Sequence, residues 1–264
     1  MKPKIFKKKD ERKRIAYRWE ALMSETFPEE IDRCIRNSII YDKNSQTPSY
    51  ALKWKYDEPD MMVVDMTTVD AIFEYCSDGV HTAALNFASY KYPGGGFLSG
   101  SNAQEESLCH HSILYNVLQE FDDNFYGPNR QNTNNSAYAD NMIYSKDVLF
   151  VNGDLSKKVC CDIITCAAPN LKAMTERGPE RGVPIYLFMT SRIDHILFNA
   201  YENGATNLIL GAFGCGVFGN DPVMVAKIFH SLLTTKYKGC FKTVIFAIPK
   251  GPNYEAFNKC LSSI

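Results

Sequence analysis

The sequence predicts a three-layer α/β fold: a mixed, mostly parallel sheet with helices on both faces, plus an N-terminal helical extension. Three observations predict it. Short apolar runs alternate with helical patterns through most of the chain, the order that lays helices over both faces of a parallel sheet. Two glycine-rich loops directly follow strand-like runs, where such sheets hold their ligands. Ile15, Trp19, Leu22, Met23 and Phe27 recur near the start at helical spacing, as an amphipathic helix packed on the body requires.

The elements follow in order. Met61-Met62-Val63-Val64-Asp65 reads as a buried strand, and Thr67 and Thr68 are candidate caps for a helix carrying Ala71, Ile72 and Tyr75. Ala83-Ala84-Leu85-Asn86-Phe87 is the next strand. It runs into the first glycine loop and a helix expected from Asn102 to about Glu120, with Leu108, Leu114, Val117, Leu118 and Phe121 on its buried stripe. Asn124 to Asp140 is rich in Asn, Tyr and Gly and is expected to be a surface loop. Apolar runs at Met142–Tyr144, Val148–Val151 and Asp162–Ala168 come next, the last stopped by Pro169-Asn170. A helix over Ile185–Asn203 should end at Gly204 as its C-terminal cap. Leu208-Ile209-Leu210 leads to the second glycine loop, and Asp221-Pro222 opens another helix. Thr243–Ile248 is the last strand, followed by a short helix from Asn253. With no internal repeat and no linker, residues 1–264 read as one domain, with 1–60 as the helical extension.

Composition narrows the function classes. Hydrophobic residues at 45% and charged residues at 22% are ordinary for a globular protein. No run approaches the roughly 20 apolar residues that cross a bilayer. The start is basic but lacks the apolar segment of a secretory signal. Nine cysteines without a C-x-x-C spacing indicate neither a zinc site nor a disulfide framework, so a reducing compartment is expected: the cytoplasm, or the nucleus of a eukaryote. His110 and His111 point apart on a helix and are not expected to hold a metal. The net charge of −1 hides a basic stretch from Lys2 to Arg18, in which Asp10 and Glu11 are the only acids. That stretch fits either a solvated helix start or an arm for a polyanion.

The first loop, Tyr92-Pro93-Gly94-Gly95-Gly96-Phe97, precedes Gln104-Glu105-Glu106 at the start of a helix. Three glycines remove every Cβ and let a ligand lie against the backbone. A helix N-terminus favours anions, yet two carboxylates there would repel one. They are expected to do other work, or simply to furnish a favourable acidic first turn. The second loop, Gly211-Ala212-Phe213-Gly214-Cys215-Gly216-Val217-Phe218-Gly219-Asn220-Asp221, offers clustered backbone donors. No Gly-Lys-Ser/Thr follows either loop, and the late G-x-G-x-x-G at Gly214–Gly219 has no acidic residue about 20 positions on, so neither a phosphate loop nor a dinucleotide site is indicated. A diphosphate held by amides fits better.

Leu85-Asn86-Phe87-Ala88-Ser89 followed by Gly94-Gly95-Gly96 resembles the strand and loop of macrodomains, which bind ADP-ribose. Gly94-Gly95-Gly96, then seven residues, then Gln104-Glu105-Glu106 matches the motif of the bacterial-type poly(ADP-ribose) glycohydrolases. Ser107-Leu108-Cys109 continues the match, and the second loop through Gly219-Asn220-Asp221-Pro222 is similar to that family's second ligand loop. The likeness runs from about Arg14 to Ala247. His110 and Phe213 depart from it, standing where relatives carry arginine and tryptophan. The resemblance implies a macrodomain-like fold and hydrolysis of the ribose–ribose O-glycosidic bond of poly(ADP-ribose), through an oxocarbenium-like state. Adjacent helical glutamates diverge by about 100°, so a division of labour is implied. Glu106 donates the proton and then activates water, while Glu105 and Asn86 hold the distal ribose with support from Gln104. Amides of Gly94, Gly95, Gly96 and of Gly214, Cys215, Gly216, Val217, Phe218, Gly219 and Asn220 hold the diphosphate. Val217 and Phe218 wall the ribose, and Phe97 packs near the sugar or a base. Asp65 and Thr67 are weaker candidates for an adenine pocket, or else a cap and its neighbour.

The implied partners are poly(ADP-ribose) or an ADP-ribosylated protein, with ADP-ribose as product. No cofactor, no metal, no membrane and no direct nucleic-acid binding are expected, and the chain is expected to be a monomer. The competing readings are an ADP-ribose-binding macrodomain without turnover and a hydrolase of a mono-ADP-ribosyl linkage.

Overall fold

The computed structural model describes residues 9–42, 52–77, 79–176 and 185–261. Residues 1–8 of the basic start and 43–51 of the extension lie outside them. The chain opens with α1 (Lys9–Thr26) and α2 (Pro28–Arg36). Pro28 begins α2, with Glu29 and Glu30 in its first turn and Arg33 and Arg36 in its last, an arrangement that suits the helix dipole. On α1 the inward stripe is Ala16, Trp19, Met23 and then Phe27, while Leu22, expected on it, is exposed. Leu22 stands one residue from Met23, about 100° round the helix from the packed face.

Next come β1 (Ile39–Tyr41), β2 (Asp60–Val64), α3 (Thr68–Tyr75), β3 (Thr82–Phe87), α4 (Gln104–Cys109), α5 (Leu114–Gln119) and α6 (Gly127–Gln131). The remainder comprises β4 (Met142–Val151), β5 (Lys158–Cys166), α7 (Leu171–Glu176), α8 (Ile185–Glu202), β6 (Asn207–Leu210), α9 (Pro222–Thr234), β7 (Thr243–Ala247) and α10 (Pro252–Leu261). Thr67 caps α3 by accepting from Asp70 N–H, Asp221 caps α9 from Val223 N–H, and Gly204 takes φ +82° after α8.

The strands form one sheet in the order β1-β4-β5-β3-β6-β7-β2. The neighbours from β5 through to β2 are parallel, and β1 and β4 are antiparallel to theirs. Residues 39–41, within the segment expected to be helical, are thus the edge strand. Period-two alternation splits the core. Ala84 and Ile163 face one side with α1, α2, α3 and α5, while Leu85 and Ile164 face the other with α8, α9 and α10. Helices therefore cover both faces, as the alternation of elements predicts.

Two further expectations are corrected. The helix from Asn102 to Glu120 is broken at His110–Ile113. There the backbone pairs with β4 instead, Ile113 N–H donating to Leu149 O (3.1 Å) and Val151 N–H to His111 O (2.8 Å). The break covers part of the outer edge of β4, which β1 is too short to reach. The Asn124–Asp140 stretch is not a plain surface loop. It contains α6 and buries Phe125, Tyr126, Asn129, Ser136 and Ala137. No helix among the described residues is long and apolar enough to cross a membrane.

Candidate active site

Both glycine loops leave the C-terminal ends of parallel strands, the first from β3 and the second from β6. Between them lies a cavity of about 1330 Å³. It sits where ligands gather in open α/β sheets, beyond the carboxyl ends of the strands. Gly95, Gly96, Gln104, Glu105 and Glu106 line one wall, and Gly214, Gly216, Val217 and Phe218 another.

Gln104 locks α4 to the end of β3. Its amide oxygen accepts from Phe87 N–H (2.8 Å) and its nitrogen donates to Leu85 O (2.8 Å) and Thr68 Oγ1 (3.2 Å). This satisfies the last polar groups of the strand and fixes the first turn of the helix. The two glutamates are then buried, at 3% and 6% exposure, although each lines the cavity. Glu105 Oε2 accepts from Ser89 N–H (2.6 Å) and Oε1 from Asn86 Nδ2 (3.3 Å). Glu106 bends back on its own turn, Oε1 accepting from Gly96 N–H and Oε2 from Ala103 N–H, both at 2.8 Å. The carboxylates do not diverge as their backbone positions alone would require. A Cβ on Gly95 would lie 2.7 Å from Glu105 Oε2 and 2.8 Å from Glu106 Oε1, so both close on that one residue. Gly95, at φ +61°, supplies the bare backbone that makes room for them.

Burial pushes the Glu105 carboxyl up to about 8, and the charge of Glu106 adds to it, against the lowering pull of Ser89 N–H and Asn86. Glu105 therefore holds its proton near neutral pH.

The first loop is not a cradle of free amides. Gly95 N–H donates to Tyr92 O, Gly96 N–H to Glu106 and Phe97 N–H to Gly94 O. Its glycines serve the turn and the carboxylates. The second loop differs: the amides of Gly216, Val217 and Phe218 have no acceptor among the described residues. Gly214 at φ +71° packs against Ala168 and Asn220, and Asn220 ties the loop down through Pro169 O (2.8 Å) and Gly214 O (3.0 Å). Consecutive free amides of this kind suit an anionic group.

Six of the expected site residues lie beneath the wall and do not line the cavity. Asn86 is fully buried and reaches Glu105 and Thr165. Gly94 packs on Tyr115. Phe97 is in the core, its ring 4.6 Å from that of His110 and 4.9 Å from that of Tyr115, so it cannot pack on a sugar or base. Cys215 is half-buried and its thiol is pushed up to about 12 by burial and then Asp221. Gly219 and Asn220 shape the loop from behind. Thr67 lines the cavity as well as capping α3. Asp65 does not line it, and accepts instead from Lys250 N–H (2.8 Å).

Sequence reasoning missed an aromatic wall. Tyr90 and Tyr138 stack at 3.8 Å, Tyr138 meets Phe218 edge-on at 6.1 Å, and all three line the cavity. The buried Arg192 holds this segment, donating to Asp140 Oδ1 (2.8 Å), Ala137 O (3.1 Å) and Ala167 O. His195 Nδ1 lies 3.2 Å from the same carboxylate. Burial would raise the Asp140 carboxyl, but His195, Arg192 and Ser191 hold it well below the ordinary range. An arginine in a helix otherwise facing the core was the available signal. Among the described residues no group of three His, Cys, Asp or Glu side chains could hold a metal ion.

Comparisons with known proteins agree with this geometry. The family model for the microbial-type PARG catalytic domain matches residues 10–153. No curated protein matches the chain. The crystal structure of poly(ADP-ribose) glycohydrolase from Thermomonospora curvata is 30% identical, covers 95% of this chain and 99% of its own, and superposes with a TM-score of 0.84. The same enzyme bound to the inhibitor ADP-HPD gives 31%, the same coverage and 0.83. The Deinococcus radiodurans enzyme in complex with ADP-ribose gives 32% identity over 88% of this chain and 97% of its own, with a TM-score of 0.76. Fold, cavity and motif spacing converge with these matches, and the chain belongs to the microbial-type poly(ADP-ribose) glycohydrolase family.

Proposed function

We propose that this chain is a glycosidase that hydrolyses the ribose–ribose O-glycosidic bonds of poly(ADP-ribose) and releases ADP-ribose, with Glu106 as general acid and base. One observation carries the reading: two buried carboxylates close on a single bare glycine inside a cavity whose opposite wall presents free amides. The diphosphate lies on the amides of Gly216, Val217 and Phe218. That places the terminal ribose between Phe218 and the acid pair. Val217, 81% exposed, forms the rim of the open mouth.

Bond breaking needs a proton on the leaving oxygen and negative charge near the sugar as positive charge develops there. The pair supplies both: Glu106 gives the proton, and the carboxylate it leaves behind is the negative charge. Glu106, anchored by Gly96 and Ala103 amides beside the Ser101 side of the cavity, passes that proton to the leaving ribose oxygen. It then takes one from the incoming water. Glu105, oriented by Ser89 and by Asn86 from below, hydrogen-bonds the ribose hydroxyls. Asn86 acts through Glu105 and is a positioning residue. The Tyr90–Tyr138 stack offers an aromatic face for the adenine.

Residues 1–264 are proposed to act as one catalytic domain, monomeric and cytoplasmic, a setting that suits the free thiols of its nine cysteines. The experiment is ADP-ribose release from poly(ADP-ribose) by Glu106→Gln and Glu105→Gln. Glu106→Gln should lose turnover by about 1,000-fold, within the range for removing a general acid–base group, while still binding ADP-ribose. Undiminished release by Glu106→Gln would end the assignment. Wild-type chain that binds ADP-ribose without cutting polymer would replace the hydrolase reading with the binding one.

A further inference from the structure

We propose that the start of α1 is a basic shelf that binds the diphosphate of the next ADP-ribose unit, on the leaving side of the bond being cut. The inference rests on the hydrolase reading above and extends it to the rest of the polymer.

The sequence shows a basic stretch that the catalytic site does not use, and the structure places the start of its described part against Gly100, in the turn that follows the first glycine loop. A Cβ on Gly100 would meet the backbone of both Lys9 and Lys13, and Arg12 Nε donates to Gly100 O (2.6 Å). Lys9, Arg12 and Lys13 are spaced i, i+3, i+4 and so share one helix face with Ala16, which is fully buried. Asp10 and Glu11 lie on other sides of the helix, so the face toward the loop is uniformly cationic.

That loop is also the wall beside the proton donor. Ser101 Oγ stands against Gly96, the residue whose amide holds Glu106, and Ser99, Ser101, Asn102 and His111 line the cavity here. The cavity wall at Ser99 and Ser101 thus flanks Gly100, on which the start of α1 rests, while α1 itself lies outside the cavity lining. At about 1330 Å³ the cavity exceeds the roughly 300–1,000 Å³ typical of a site for one small ligand. A general acid faces the leaving group, so the remaining chain leaves the cavity past Glu106, over the Ser99–Asn102 wall and toward the start of α1. Each unit of that chain carries a diphosphate, and exposed Lys9 and Lys13 supply the opposite charge. The shelf supplies attraction for a chain and has no part in the chemical step.

The test is the full-length double variant Lys9→Glu/Lys13→Glu, compared with Lys9→Arg/Lys13→Arg. Both positions are exposed, so the melting temperature should hold in each. The glutamate pair should raise KM for poly(ADP-ribose) by about tenfold at low salt and make its salt dependence shallower. It should leave kcat and the Kd for free ADP-ribose within twofold, and the arginine pair should restore the wild-type KM. An unchanged polymer KM, or an equal loss of ADP-ribose affinity, would overturn the shelf. Failure of the hydrolase reading is distinct, because wild-type chain would then release no ADP-ribose at all.

Discussion

Replacing Glu105 with Gln should flatten the pH dependence of folding stability. Burial and the charge of Glu106 raise the Glu105 carboxyl from 4.5 to about 8. The folded chain therefore retains a proton that the unfolded chain releases. The associated stability is fully present below the unfolded value, declines as pH rises between the two values, and is gone above about 8. At 1.36 kcal/mol per pKa unit, the whole span is on the order of 5 kcal/mol. Gln at this position stays neutral at every pH. Its oxygen can accept from Ser89 N–H, and its amide can reach Asn86 Oδ1, which has no partner among the described residues, once the Asn86 amide turns over. Urea unfolding at intervals between about pH 5 and pH 9 measures the effect. The variant should gain on wild type by roughly 1.4 kcal/mol per pH unit up to about pH 8 and then hold constant. Parallel curves across that range would refute the claim that Glu105 is protonated near neutrality.

Two further outcomes follow from the same geometry. Gly95→Ala puts a methyl against both carboxylates at φ +61°, so it should cost roughly 1–2 kcal/mol of stability. By moving the acid pair it should also lower turnover about 100-fold, which steady-state assays and thermal melts would read separately. Arg192→Ala leaves Asp140 without its buried cation and should cost about 3–5 kcal/mol by denaturant unfolding. In the protein that remains folded it should raise KM, because the Tyr138 wall loses its anchor.

Much of the fold could be read from the chain because its strands and caps are local features. Thr67, Asp221 and Gly204 act where cap chemistry places them, and both glycine loops sit at strand ends. The break in the expected 102–120 helix could not be read locally, since it is made by pairing with Leu149 and Val151 on a distant strand. Tyr138 was hidden for the same reason. Its Asn-rich segment has no core-like pattern and is held by an arginine 52 residues beyond Asp140. Period-two alternation put Asn86 on a strand without giving its depth, so its burial beneath Glu105, to which its amide donates, was not legible. The resemblance implied Phe97 near the sugar or a base, but the turn after Gly96 swings its ring into the core. The acid pair was legible as chemistry, whereas its convergence on Gly95 depends on the capping geometry of Glu106.

A crystal structure of the full chain with ADP-ribose bound tests the central claim most directly. The account predicts the diphosphate on the amides of Gly216–Phe218 and the terminal ribose between Phe218 and the acid pair, with a Glu106 oxygen in hydrogen-bond reach of the anomeric hydroxyl. A ribose bound away from Gly95, with Glu106 still closed on Gly96 and Ala103 and out of its reach, would contradict it.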